Sequence, residues 1–156
     1  MTKEIIVEGI KNAFADLGIE YEFHPERSAF SFGHKVLSKF SSTRVFIVAR
    51  NSDYYVKAIA PLKADPSDAS AMEELAKLIV KINYSLIQGG FDLDFEDGEL
   101  SYRIGVECTD LDRIPADFVN VTVAIAIKMW GVYGDCFLGV IFGGLDSDAA
   151  LRLKKD

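Results

Sequence analysis

The sequence has little of what makes chemistry legible in a chain. Its 156 residues hold two histidines, two cysteines, four prolines and one tryptophan. Neither His24 nor His34 has a cysteine or carboxylate at metal-ligand spacing, so no metal site is expected and both read as surface or hydrogen-bonded loop residues. Cys108 and Cys136 lie in apolar sequence and form no Cys-x-x-Cys pair. They read as two buried free thiols in a reducing compartment, with a single disulfide as the alternative that spacing leaves open. No serine stands in a Gly-x-Ser-x-Gly elbow. The glycines of the last third (131, 134, 139, 143 and 144) match neither a dinucleotide fingerprint nor a P-loop, so no cofactor is expected and they read as sites of close helix packing.

Positive charge is also short. With 17 basic and 24 acidic residues the net charge is −7. Nucleic-acid binding needs clustered lysine and arginine to neutralise phosphates, and none is expected here. The longest basic run, Arg152, Lys154 and Lys155, reads as a solvated end. Long apolar runs are lacking too: between Phe118 and Phe142, Lys128 and Asp135 interrupt the stretch before it reaches the roughly 18–20 residues of a bilayer span, so no membrane partner is expected. The opening Met1-Thr2-Lys3-Glu4 lacks the pattern of a signal peptide, and the expected location is the cytoplasm.

What is present is ordinary globular material: 49% hydrophobic and 26% charged residues, with eleven Phe and six Tyr for a core. A chain of this length fits one domain over 1–156 and buries roughly 68–70% of its unfolded surface, enough for a core without staples.

Periodicity lays out the elements. Ile6, Ile10, Ala13, Phe14 and Leu17 give a helix over 3–17, with Thr2 as N-cap and Gly18 as its left-handed stop. Tyr21 and Phe23 alternate with glutamates in a short strand that His24-Pro25 breaks, and Phe30 and Phe32 mark a second. Residues 44–50 and 53–60 read as a hairpin across Asn51-Ser52, its first strand apolar on both faces and therefore central. A helix follows from Ser67 or Asp68 to Gln88, with Met72, Leu75, Ile79, Ile82 and Leu86 as its stripe and Gly89-Gly90 as its stop. Val80, Tyr84 and Ile87 make that stripe wider than one sheet face requires.

Next, Phe91, Leu93 and Phe95 alternate with acidic residues up to Asp97-Gly98, a dipeptide that favours a two-residue type I′ turn. That turn pairs Phe95 with Leu100, Leu93 with Tyr102 and Phe91 with Ile104, and sets Asp92 opposite Arg103. An EF-hand reading of the same segment fails, because glycine falls one place late and Arg103 stands where a glutamate is needed. Residues 115–130 alternate like a strand over 119–127, yet Pro115 and the alanines suit a helix. We read a buried helix there and a second short one over about 133–142.

One long stretch carries a family signal: Ile82-Asn83-Tyr84-x-Leu86-x-x-Gly89-x-Phe91-x-Leu93-Asp94-x-x-Asp97-Gly98-Glu99-Leu100-x-Tyr102, continued by Tyr133 and a Leu-x-x-Ile-x-x-Gly segment ending at Gly144. It resembles the YbjN-like family, which shares the type III secretion chaperone-like fold. The likeness covers roughly residues 68–144, and the first 60 match by element order alone. It implies an α+β fold, an antiparallel sheet with helices packed on it in the order α-β-β-β-β-α-β-β-α. It also implies a non-catalytic, protein-binding, chaperone- or adaptor-like role, often as a homodimer. It carries no catalytic residues, and Asn83 is expected to satisfy backbone groups near it.

Two functional expectations follow. One is a homodimer that holds a polypeptide partner, with Leu78, Val80, Tyr84 and Ile87 at the dimer contact and the strand of Tyr21 and Phe23 as an edge for an extended peptide. The other is a small enzyme or ligand-binding protein using Asp92, Asp94 and Glu96, which requires an apolar cleft beside them to shift a carboxylate. A solvated acidic face is the plainer reading of those three.

Overall fold

The computed structural model describes residues 1–156. Helix α1 (Lys3–Leu17) forms over the predicted span, burying Ile6, Ile10, Ala13 and Phe14 and ending at Gly18 with φ 65°. Thr2 occupies the N-cap position, but its hydroxyl makes no capping hydrogen bond. Strand β1 (Glu22–His24) runs through a single 3-10 turn, Pro25–Arg27, into β2 (Ala29–Lys35). Strands β3 (Ser42–Ala49) and β4 (Asp53–Ile59) follow, then α2 (Ala69–Ser85), β5 (Gly90–Leu93), β6 (Leu100–Glu107), α3 (Ala116–Ile141) and a short α4 (Ser147–Leu151).

All six strands form one antiparallel sheet in the order β1-β2-β3-β4-β6-β5. The element order and class are those the sequence implies, with α4 added. Val45, Ile47 and Ala49 of β3 and Tyr54, Val56 and Ala58 of β4 point to the helix side and are buried. β3 lies inside the sheet, as its two apolar faces predict.

Three details depart from expectation. Residues 116–141 are one continuous helix, not two. α3 is long and apolar enough to cross a bilayer by length and composition. Here Val119, Val123, Ala126, Trp130, Tyr133, Phe137 and Val140 recur at spacings of three and four and fill the core, which a strand-like alternation could not do. The Trp130 indole N–H donates to Ala58 O at 3.0 Å, fixing α3 on the middle of the sheet. The only additional short helix is α4, further on.

The 91–107 hairpin forms, but two residues out of the expected register. Leu93 faces Leu100 and Phe91 faces Tyr102. Every side chain keeps its face, since the shift is even. The connection is a six-residue loop rather than a two-residue turn: Asp94 Oδ1 accepts from Glu96 N at 2.8 Å, Asp97 Oδ1 accepts from Glu99 N at 2.9 Å, and Asp94 N donates to Glu99 O. Gly98 takes φ 76°, and a Cβ there would stand 2.0 Å from Ala64 O. Ala64 N in turn donates to Gly98 O at 2.9 Å, and Lys63 pairs with Asp97. Contacts to residues 63–64, distant in sequence, therefore select the longer loop, and Phe95 is left exposed instead of paired.

Helix α2 ends at Ser85, three residues short of expectation. The chain turns extended at Leu86, and Gly89 supplies the left-handed residue of the following connection rather than the helix cap. Asp68 caps the other end, accepting from Ala71 N at 3.0 Å.

Candidate functional site

α2 packs its Met72, Leu75, Ile79 and Ile82 stripe into the core. The helix α4 covers a second flank. Glu74 Oε2 accepts from Ser147 N at 2.7 Å, while Lys81 donates to Ser147 Oγ at 2.6 Å and pairs with Asp148 at 2.8 Å. The Ser147 N–H, helped by Lys77, holds the Glu74 carboxyl below its ordinary range, and Lys81 does the same for Asp148. Leu78 lies on the flank between Glu74 and Lys81 and is fully buried. It is a core residue, and its burial within the folded chain leaves it nothing to offer a dimer contact.

Val80, Tyr84 and Ile87 behave differently. They are 69%, 94% and 99% exposed, a row of large apolar side chains with nothing in the fold upon it. Val80 and Tyr84 are one helical turn apart and share a face; Ile87 follows in the connection after the helix.

Strand β1 is an edge of the sheet, so its outer backbone is open. The rings of Tyr21 and Phe23 rest on aromatic neighbours, although Tyr21, one residue before β1, stays 37% exposed. Tyr21 sits 5.1 Å from Phe14 and 5.2 Å from Phe30, and Phe23 sits 4.8 Å from Phe30 beneath the ammonium of Lys11. What this edge offers a partner is backbone. The edge also lies opposite the α2 row: α2 packs on β5, the far end of the sheet. The structure thus does not bring the six predicted contact residues together.

The acidic hairpin residues are accounted for locally. Asp92 pairs with Arg103 at 3.3 Å, keeping the predicted partner on a diagonal instead of directly opposite. Asp94 caps its own turn, and Glu96 is exposed in the loop. None of the three lines any of the three main clefts, which lie between β6 and α3 (about 560 Å³), between β2 and α3 (about 840 Å³), and between α1 and residues 113–117 (about 620 Å³).

The histidines and cysteines hold structural positions. His24 Nε2 is 3.0 Å from Ser31 Oγ and His34 Nδ1 is 2.6 Å from Lys35 O. Cys108 and Cys136 are free and buried, and burial pushes the Cys136 thiol up to about 11, with Asp135 adding to it. The basic tail is not merely solvated, since Lys155 pairs with Asp135 at 3.1 Å.

Sequence reasoning missed the clefts flanking α3. Phe118 and Val121 are 45% and 55% exposed along the first. The available signal was the all-round apolar character of 118–127, more than one buried stripe uses.

No protein-family model and no curated protein sequence matches the chain. Among solved structures it resembles YbjN, a candidate transcription regulator from E. coli, with a TM-score of 0.53 and 14% identity over 80% of this chain and 90% of that one. It also matches a chain of the HopA1–SchA chaperone–effector complex, with a TM-score of 0.49 and 9% identity over 83% and 94% of the two chains. The chain therefore has the YbjN-like fold, as its sequence landmarks imply.

Proposed function

We propose that this protein is a non-catalytic binding module, chaperone- or adaptor-like, that works as a homodimer holding a polypeptide partner. The observation that carries the reading is the uncovered row of Val80, Tyr84 and Ile87 on α2. Large apolar side chains left outside an otherwise complete core favour association, because burying each fully gains about 1.5–3 kcal/mol. The YbjN-like fold and the family resemblance support the same reading. Two free buried thiols suit a reducing compartment, in keeping with a cytoplasmic site of action.

The dimer part is tested by light scattering of the purified chain and of a Val80→Glu/Tyr84→Glu double variant. The expected result is a dimer that becomes a folded monomer. An unchanged dimer, or a monomeric parent, removes α2 from the interface. The partner part is tested by capture from native cell extract with both proteins immobilised. One polypeptide retained in fixed ratio by the parent supports the reading, and retention of none refutes it.

A further inference from the structure

Strand β6 is covered on its outer side for only half its length. β5 pairs with it from Leu100 to Arg103 and stops at Gly90, so Ile104–Glu107 has no strand there. The chain before β5 turns away, with Gln88 O accepting from the Tyr102 hydroxyl at 2.8 Å. In the ladder to β4 the even-numbered residues bond: Ala60 N donates to Leu100 O, and Cys108 N to Ser52 O. Gly105 and Glu107 therefore direct their N–H and C=O to the uncovered side, about 7 Å apart along the strand. On β5 the Asn83 amide bonds both backbone atoms of Phe91 and closes that edge. The edge of β6 stays bare, a template for another strand.

Below this edge lies the cleft of about 560 Å³ between β6 and α3. Ile104 and Val106 sit opposite the buried Val56 and Tyr54 and face the helices, so Gly105 and Glu107 face away from them. Phe118, Val121 and Ile125 form the α3 wall, the first two exposed. Bare backbone at strand spacing over an apolar trough is complementary to an extended polypeptide. Such a strand would lay alternate side chains in the trough and the others on the open sheet face.

Charge selects the strand. Asp117 is the only charged side chain lining the cleft, Glu107 stands on the edge itself, and neither is in an ion pair. Asp110 and Asp112 follow, both exposed, and Arg113 is the only cation between 104 and 121. A basic strand is attracted here. A second copy of this edge would set the same carboxylates against each other, so the occupant is not this chain itself. The exposed Ile87 directly precedes Gln88 of the cleft wall, so the site continues the α2 row.

We propose that the bare edge of β6 takes an extended segment of the polypeptide partner, apolar at every second residue and basic between, its backbone paired with Gly105 and Glu107. This rests on the binding-module reading and gives the partner a place and a chemistry. The probe is a capped synthetic octapeptide of alternating lysine and valine, titrated into the isotope-labelled full chain and followed by NMR. One peptide per chain is expected, with amide exchange at Gly105 and Glu107 slowed at least tenfold. The glutamate–valine peptide should bind at least tenfold more weakly, as should the lysine–valine peptide with its backbone N-methylated. Glu107→Lys/Asp117→Lys, its fold checked by circular dichroism, should reverse the preference between the two peptides. The proposal is overturned by absence of lysine–valine binding, by equal affinity for the two peptides, by indifference to N-methylation, or by protection at another sheet edge instead. A partner captured from extract that leaves these two amides unprotected would also overturn it, while the binding-module reading would stand.

Discussion

The side-chain amide of Asn83 pairs with the backbone of Phe91 as a neighbouring strand would: Asn83 Nδ2 donates to Phe91 O at 3.0 Å, and Phe91 N donates to Asn83 Oδ1 at 2.9 Å. β5 is the edge strand, so its outer amide and carbonyl have no strand to bond to. Asn83 takes that place and locks the end of α2 to the sheet edge. Phe91 itself packs at 4.9–5.2 Å from Phe137, Trp130 and Tyr102, so the pair also sets the centre of the core. Replacing Asn83 with alanine orphans two backbone groups, and a loss of about 1–3 kcal/mol is expected in urea unfolding. Asn83→Asp can still accept from Phe91 N but cannot donate, and should fall between alanine and the parent.

A second prediction concerns the approach of the β2–β3 connection to α3. At Gly134 an added Cβ would stand 2.5 Å from Ser38 Oγ and 2.9 Å from the Phe40 ring. Beside it, Asp135 Oδ1 accepts from Lys39 N at 2.8 Å. Gly134→Ala must therefore push the connection off the helix, and overpacking of this kind costs about 1–3 kcal/mol. The melting temperature reads the loss. Gly139→Ala, which meets the flexible ends of Leu145 and Leu153, should lose less.

These two positions also show where the sequence was legible. The helix 3–17 and the six strands are written in local periodicity, and the structure keeps them; the second helix, expected to run to Gln88, forms but ends at Ser85. Asn83 was singled out only through the family landmarks, yet its role is the expected one. The hairpin register was not legible, because Gly98 and Asp97 answer to Ala64 and Lys63, and no local pattern encodes that contact. Leu78 and Val80 were alike on paper. The structure separates them: Leu78 joins the core on the flank where Glu74 and Lys81 hold α4 at Ser147 and Asp148, and Val80 stays outside. The cleft between β2 and α3 draws its walls from residues 19–20, 32–37, 120–132 and 155–156, four segments that only the fold brings together.

Alkaline pH should destabilise the protein in two steps. Burial pushes Cys136 from 9.0 up to about 11 and Tyr54 from 10.0 up to about 12, the latter despite Thr122 at 3.5 Å. Both groups stay protonated in the folded chain while the unfolded chain ionises. Unfolding then releases protons, and stability falls as pH rises above the unfolded value, levelling off past the folded one. The first loss begins near pH 9 and comes mainly from Cys136, with Cys108, whose thiol burial also pushes up, adding to it; the second, from Tyr54, runs from about pH 10 to 12. A two-unit shift corresponds to about 2–3 kcal/mol. Guanidinium unfolding at a series of pH values should show the slope, and Cys136→Ala should flatten its lower part while leaving the upper. Neither thiol should react with a disulfide reagent at pH 8 until the chain is unfolded.

Leu78 and Val80 give the sharpest contrast, since they are neighbours on one helix with opposite surroundings. Leu78 is fully enclosed and Val80 is 69% exposed. Leu78→Ala opens a cavity and should cost about 2–5 kcal/mol whatever the protein concentration. Val80→Ala removes a smaller, exposed side chain and should change the stability of an isolated chain by less than about 0.5 kcal/mol. If the α2 row is buried between two copies, Val80→Ala acquires a second signature. The parent's melting temperature rises with protein concentration, because dimerisation draws the equilibrium toward the folded form, and the variant's rise begins at higher concentration. Melting curves taken over a hundredfold concentration range therefore separate the two roles. A flat parent series would leave Val80, Tyr84 and Ile87 free for a different polypeptide, whereas parallel concentration dependence in parent and Val80→Ala would move the dimer contact off α2.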